Sequence, residues 1–292
     1  MQRKIAYLLK AVLLQILGRN LDCPNCGQRS HEVVDRKYLC TTLRRCPTCR
    51  LLHRIPRDSA GQGKIFYQAA YRQGFTTDMP DRETLERLIQ EKFQGGPRDY
   101  QPYLHLLQAL GVKKGDTLVE YGCSWGYGAW QLQDAGFQVQ AFEISKPRCQ
   151  YARENLGISA IEDPEAVKGP FDVVFSAHVL EHVDQLETAL HRQWAWLKPS
   201  GLLVGVTPNG SAAFRQAYPR NFHRLWGLVH PQLLDDEFLS HRFSGLEMSL
   251  ASLPITAKIS PKKNSPPLSD LLTGWELVFA VRKPETTRPG HR

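Results

Sequence analysis

Leu118-Val119-Glu120-Tyr121-Gly122-Cys123-Ser124-Trp125-Gly126-Tyr127-Gly128 decides the fold. An apolar run carrying an acid near its end reads as a buried strand, Thr117–Tyr121. Glycines at 122, 126 and 128 follow it, and Tyr127–Ala135 has the pattern of a helix. A strand that turns through glycines into a helix lets backbone come close to a ligand and points helix N–H groups at it. A second acid, Glu143, closes the next strand-like stretch, Val139–Glu143, where a carboxylate can accept from both hydroxyls of a ribose. The glycine spacing excludes a dinucleotide fingerprint. Counted from Gly122, that pattern needs glycine where Ser124 and Tyr127 stand; counted from Gly126, it needs glycine at Gln131.

Outward from this loop, strand-like and helical stretches alternate. Lys146–Asn155 is helical, Ile158–Ile161 and Phe171–Ser176 are strand-like, Asp184–Leu197 is helical and Gly201–Thr207 is a strand. Upstream, Asp99 stands ready to cap a helix running to Leu110. Downstream, the pattern gives a helix over Phe238–Leu253, a short strand at Ile255–Ser260, a loop at Lys262–Pro267 and a last strand at Trp275–Val281. Alternation of this kind predicts an α/β fold: a doubly wound, mostly parallel seven-stranded sheet over residues 98–283.

Three stretches carry a resemblance to a family. E-x-G-x-S-x-G, followed by an acid after the second strand, resembles the first motif of class I S-adenosylmethionine methyltransferases. Phe171–Ser176 followed by His178-Val179-Leu180-Glu181-His182-Val183 is similar to that family's fourth-strand motif, and Leu197-Lys198-Pro199-Ser200-Gly201-Leu202-Leu203 to its loop into the fifth strand. Ser124 departs from the commoner central glycine but is small. The resemblance implies S-adenosylmethionine as cofactor. Glu120 and the backbone of Gly122, Cys123, Ser124 and Gly126 would lie along its methionine part, Glu143 on the ribose, Ile144 beside the adenine and Asp163 at the adenine amino group, with His178 near the reactive methyl.

Seven cysteines include two C-x-x-C pairs, Cys23/Cys26 and Cys46/Cys49. Two such knuckles predict one closed four-thiolate zinc site, structural because no coordination position stays open. Thiolates held this way fit a reducing compartment, and a cytoplasmic location is expected. The divisions expected are an apolar and basic helix (1–20), a zinc ribbon (21–60), a helical linker (61–97, with Phe66–Gln94 helical), the methyltransferase-like domain (98–283) and a polar tail (284–292). Together the ribbon and body resemble a bacterial group of such enzymes.

The net charge is +8, and its excess sits in front: residues 1–60 hold 12 Lys and Arg against 4 Asp and Glu. That bias suits zinc-bound thiolates and equally suits an anionic partner such as nucleic acid or a lipid headgroup. Basic residues precede the first apolar stretch as in a signal peptide. Lys10 and Gln15 interrupt that stretch, no small-residue cleavage site follows, and the run is too short to span a bilayer. It reads as a helix packed on the body or touching a membrane surface.

His178, Glu181 and His182 follow the fourth strand at i, i+3, i+4 spacing and would share one helical face. His178 is expected as a contact near the methyl and His182 as general base. The same three residues resemble the Glu-x-x-Glu-His box of some metal-dependent O-methyltransferases, with His178 in the first position, and that resemblance implies a second divalent metal there as the alternative to a catalytic histidine. Asn209, at the end of the fifth strand, should face the acceptor. His223, Trp226 and His230, in the aromatic insert 214–239, would line a lid. The function expected is methyl transfer to a small-molecule acceptor: a metabolite, a sugar or a lipid-linked group. RNA or protein methylation through the basic ribbon, or a non-catalytic cofactor-binding subunit, are the alternatives. The residues fix neither the acceptor atom nor an oligomeric state.

Overall fold

Neighbouring residues on the middle strands bury in opposite directions, which is what a sheet covered on both faces requires. Leu118, Val173, Val204 and Val278 join a cluster with Leu104, Leu107 and Leu110 on one face; Val119, Val174, Leu203 and Phe279 join Leu190, Phe238 and Phe243 on the other. The computed structural model describes residues 11–14, 16–18, 21–29, 32–38, 40–57, 78–227, 229–254 and 272–285. Its strands are β1 (Glu32–Lys37), β2 (Thr41–Arg45), β3 (Leu52–Ile55), β4 (Thr117–Tyr121), β5 (Gln138–Phe142), β6 (Ala160–Ile161), β7 (Phe171–Ala177), β8 (Leu197–Pro208), β9 (Gln232–Leu233), β10 (Glu247–Leu253) and β11 (Glu276–Arg282). Its helices are α1 (Arg82–Gln90), α2 (Gln101–Ala109), α3 (Tyr127–Asp134), α4 (Lys146–Leu156), α5 (Leu186–Ala195), α6 (Ala212–Ala217), α7 (Pro219–Leu225) and α8 (Asp236–Arg242).

The large sheet has seven strands in the order β10-β11-β8-β7-β4-β5-β6. Strands β6 through β8 pair in parallel, and β11 runs antiparallel between β8 and β10. The mostly parallel seven-stranded expectation holds. The expected helix over Phe238–Leu253 does not. Only Asp236–Arg242 is helical; the chain reverses at Gly245 (φ +79°), and Glu247–Leu253 pairs residue for residue with β11. The open edge of β11 supplies seven backbone partners, and pairing along that edge overrides the local pattern. Asp99 does not cap α2 from the N-cap position, which is Tyr100, but its Oδ1 accepts from Gln101 N at 2.8 Å. Helix α1 falls inside the helical stretch expected to reach Gln94. Most of that stretch's first half, the strand at 255–260, the loop at 262–267 and most of the first helix and of the tail lie outside the described residues. No helix among the described residues is long and apolar enough to cross a membrane.

The ribbon is not a free-standing module. Its sheet runs β1-β2-β3-β9, all antiparallel, and β9 comes from the insert after β8. Leu43 and Leu52 of the ribbon bury against Phe214, Phe222, Trp226 and Leu233 of the insert. At roughly 1.5–3 kcal/mol for each fully buried large side chain, this junction is part of the core. Arg45, 4% exposed, reaches Asp235, fully buried, at 2.7 Å, and Asp235 also caps α8 through Phe238 N. Arg54 Nη1 donates to the carbonyl of Gly227 at 2.7 Å.

Candidate active site

Three left-handed residues within five, Gly122 (φ +84°), Ser124 (φ +53°) and Gly126 (φ +93°), fold the chain sharply between β4 and α3. The amides of Gly122 and Cys123 donate to Phe142 O at 2.7 and 3.1 Å, which stitches the loop to the end of β5. A Cβ at Gly122 would stand 2.5 Å from Val179 Cγ2, and one at Gly126 would stand 2.8 Å from Ala152 Cβ, so both positions need glycine for space as well as for φ. Cys123 is buried beneath the loop.

Glu143 lies just past β5 and is 9% exposed. Its Oε2 accepts from Ser124 N at 3.0 Å and its Oε1 from Ser145 N at 2.9 Å. The carboxylate therefore ties the loop after β4 to the loop after β5, and each oxygen keeps a further lone pair. Burial raises its pKa, while the Ser145 amide and Arg148 pull it back. Ile144 beside it is half exposed. Asp163 is exposed and caps a short 3-10 turn, its Oδ1 accepting from Glu165 N at 3.0 Å.

Glu120 sits under the loop rather than on it. It is 1% exposed, and Oε1 accepts from Tyr100 OH at 2.6 Å. Burial pushes its carboxyl up to about 7 against the pull of the Tyr100 hydroxyl. Its Oε2 is buried with no hydrogen-bond partner among the described residues. A buried orphan acceptor, a glycine turn and an amide-anchored acid at the next strand end fit the methionine and ribose parts of S-adenosylmethionine.

The stretch after β7 corrects the expected helical face. Residues 178–185 form turns, not helix, and His178 itself has φ +54°. The side chains still converge, because the turn folds them over the strand ends. His178 Nδ1 is 3.5 Å from Glu181 Oε1, and His178 Nε2 is 2.5 Å from Glu276 Oε1. Tyr103 OH donates to the same Glu276 oxygen at 2.8 Å. Burial opposes charge on the imidazole, but Glu181 and Glu276 outweigh it and push its pKa up to about 10. Burial likewise opposes charge on Glu181, yet His178 and His182 hold it down at about 2. His178 is thus a cation between two carboxylates and is in no state to take a proton near neutral pH.

The insert also departs from the expected lid. Asn209 is fully buried and donates to the carbonyls of Leu272 and Gly274 at 2.9 and 2.7 Å, closing the turn after β8 rather than facing an acceptor. His223 Nδ1 and Trp226 Nε1 both lie 2.8 Å from Asp35 Oδ2 in the ribbon, and Trp226 is 2% exposed. These two side chains fasten the ribbon to the body. Only His230 of the three reaches the strand ends, with its ring centroid 4.7 Å from that of His182. Glu276, Tyr103 and Tyr100 were not picked out by sequence reasoning. Glu276 opens β11, and an acid at the start of the last strand is a sequence signal that could have found it.

Cys23, Cys26, Cys46 and Cys49 come together with all four sulfurs within 4.8 Å of one another, Cys23 Sγ to Cys49 Sγ at 3.6 Å and Cys26 Sγ to Cys46 Sγ at 3.4 Å. Tetrahedral zinc with sulfur at about 2.3 Å needs sulfurs about 3.8 Å apart. The donor set fits that ion.

With this geometry in view, a family profile described as a methyltransferase domain matches residues 61–247, well over half of the chain. The chain belongs to that family. Curated relatives of the methyltransferase include a ubiquinone biosynthesis O-methyltransferase of Alkalilimnicola ehrlichii, 24% identical over 45% of this chain and 62% of that protein. Another of the same description, from Paramagnetospirillum magneticum, is 32% identical over 34% of this chain and 43% of that protein. The chain thus spans from under half to about three fifths of these relatives' lengths. Among solved structures, magnesium protoporphyrin IX methyltransferase from Synechocystis PCC 6803, with bound S-adenosylhomocysteine, is 12% identical over 77% of this chain and all of that one, with a TM-score of 0.49.

Proposed function

We propose that the protein transfers a methyl group from S-adenosylmethionine to an oxygen of a small-molecule acceptor held where β7, β8 and β11 meet. The observation that carries this is the Glu143 carboxylate, fixed by the amides of Ser124 and Ser145 beside a left-handed glycine loop at the carboxyl ends of parallel strands. Likeness to relatives described as ubiquinone biosynthesis O-methyltransferases supports an oxygen acceptor of small size.

When bound, S-adenosylmethionine supplies a methyl carbon activated by sulfonium for in-line displacement. The protein's part is chiefly orientation. Glu143 would hold the ribose, the Gly122–Gly126 backbone with Glu120 beneath it would lie along the methionine part, Ile144 would flank the adenine and Asp163 would stand near its amino group. His178 acts as a positioning cation. With Tyr103 it fixes Oε1 of Glu276, leaving the second carboxylate oxygen to accept the acceptor's proton. That proton becomes strongly acidic as the new C–O bond forms, so a carboxylate of low basicity is sufficient. Glu276 replaces His182 as the proton acceptor.

The four cysteines hold one structural zinc, and a thiolate site of this kind suits the reducing cytoplasm. Calorimetric titration with S-adenosylhomocysteine tests the reading. Wild type should bind in the micromolar range, and Glu143→Ala should bind about 30-fold more weakly, the loss of about 2 kcal/mol in charge-assisted hydrogen bonds. Failure of folded wild-type protein to bind would overturn the proposal.

A further inference from the structure

Glu181 is 0% exposed, and its two oxygens are unequally used. Oε2 accepts from Thr207 Oγ1 at 3.2 Å; Oε1 is buried, accepts no hydrogen bond among the described residues and stands 3.5 Å from His178 Nδ1 and 3.8 Å from His182 Nε2. His182 and His230 bond in the same way on their far sides. Nδ1 of His182 donates to Val229 O at 2.8 Å, and Nδ1 of His230 donates to Leu225 O at 2.5 Å. With Nδ1–H committed to a carbonyl, the neutral ring carries its lone pair on Nε2, which is how proteins orient metal-ligating histidines. One ligand atom each from Glu181, His182 and His230 falls within 4.8 Å of the others.

Two distant segments are brought together here by a dedicated clamp. Gln232 Nε2 donates to Leu180 O at 2.7 Å and to Val183 O at 3.0 Å, fixing the turn that bears Glu181 and His182 against the strand that follows His230. His178 is not one of the three: its Nε2 is held by Glu276, and its Nδ1 faces Glu181 as a charged neighbour. The ligand set therefore differs from the His178, Glu181 and His182 trio expected from spacing, its third member coming from the insert.

We propose that Glu181, His182 and His230 bind a first-row divalent transition ion such as zinc, with a coordination position left for water or an acceptor oxygen. Two imidazoles and one carboxylate favour such an ion over magnesium or calcium, which prefer all-oxygen sites. Ligands at about 2.0–2.2 Å from one ion stand about 3.4 Å apart, against 3.8 Å between Glu181 Oε1 and His182 Nε2 and at most 4.8 Å among the three.

Cobalt(II) titration of the metal-stripped full chain tests this by absorption. Ions in the four-cysteine site give thiolate charge transfer; ions at the proposed site give ligand-field bands without it. Wild type should show both signals. His230→Phe should bind the non-thiolate ion at least tenfold more weakly and keep the thiolate band, which also reports that the ribbon is folded; His182→Phe should do the same, while His178→Ala keeps both signals. Absence of the non-thiolate signal in wild type overturns the proposal, as does its persistence in His230→Phe or its loss in His178→Ala. A non-thiolate signal without any thiolate band would support this site and sink the ribbon zinc.

Discussion

Trp226→Ala separates two roles for the aromatic insert, lining a lid or joining the ribbon to the body. The indole is 2% exposed among Leu43, Leu52, Phe214, Phe222 and Leu233, its Nε1 donates to Asp35 at 2.8 Å, and Lys37 Nζ lies 4.6 Å from the ring centroid. Removing a buried Trp costs about 3–5 kcal/mol. The lost N–H bond to Asp35 puts the variant at the upper end of that range, about 4–5 kcal/mol, while Asp35 keeps its contact with His223. At about 2–4 °C per kcal/mol for a domain of this size, Tm falls by about 10–15 °C. Trp226→Phe keeps most of the buried ring and loses only the bond to Asp35, about 1.5–3 kcal/mol, so its Tm should drop by about 4–8 °C. Scanning calorimetry measures the Tm values, and steady-state kinetics on the surviving folded fraction should show KM unchanged. A Tm within about 2 °C of wild type together with a raised KM for Trp226→Ala would refute the junction and restore the lid.

Tyr100→Phe removes the donor to Glu120. The folded carboxyl holds its proton up to about 7, against 4.5 when unfolded, so the stability linked to it is present below 4.5 and is lost as pH rises through 7; the Tyr100 bond offsets part of that loss. The variant should lose about 2 kcal/mol at pH 8 and about 1 kcal/mol at pH 5 in denaturant unfolding; equal losses would contradict a charged Glu120 at pH 8. His178 has a folded pKa of about 10 against 6.5 unfolded, so its stabilisation is complete below 6.5 and disappears as pH rises through 10, in reduced size because 40% of the side chain is exposed. The pH–rate profile should accordingly lack an inflection near 6.5; one that vanishes in His178→Gln would return this residue to the role of base. Chelation of metal from the four-cysteine site should cooperatively unfold the β1-β2-β3 ribbon and lower Tm, and near-wild-type Tm after complete metal removal would show that the site is not structural.

The parallel strands of the body, the glycine loop and the acid at Glu143 were legible because each rests on local pattern: a buried run, a backbone turn only glycine relieves, an acid at a strand end. The cysteine knuckles were legible for the same reason, their spacing being set by one tight turn each. What lay beyond sequence was pairing between distant segments. Glu247–Leu253 reads as helix until β11 offers it an edge. Glu276 stands 98 residues from His178 and gains meaning only when β11 settles beside β8. Asp35, 191 residues from Trp226, turns an apparent lid residue into a fastening. His178, Glu181 and His182 met as expected, though by a turn with positive φ and not by a helix.

The strand that completes the small sheet reaches the ribosome late. Between Ile55, where β3 ends, and Gln232, where β9 begins, synthesis at about 5–20 residues per second takes roughly 10–35 seconds. Throughout that interval β3 has an uncovered edge, and Leu43 and Leu52 have no Phe214, Phe222 or Trp226 above them. An exposed edge beside apolar side chains invites pairing with the wrong chain. The knuckles close entirely within residues 23–49, so an ion captured there would hold the nascent ribbon in register until its own fourth strand emerges.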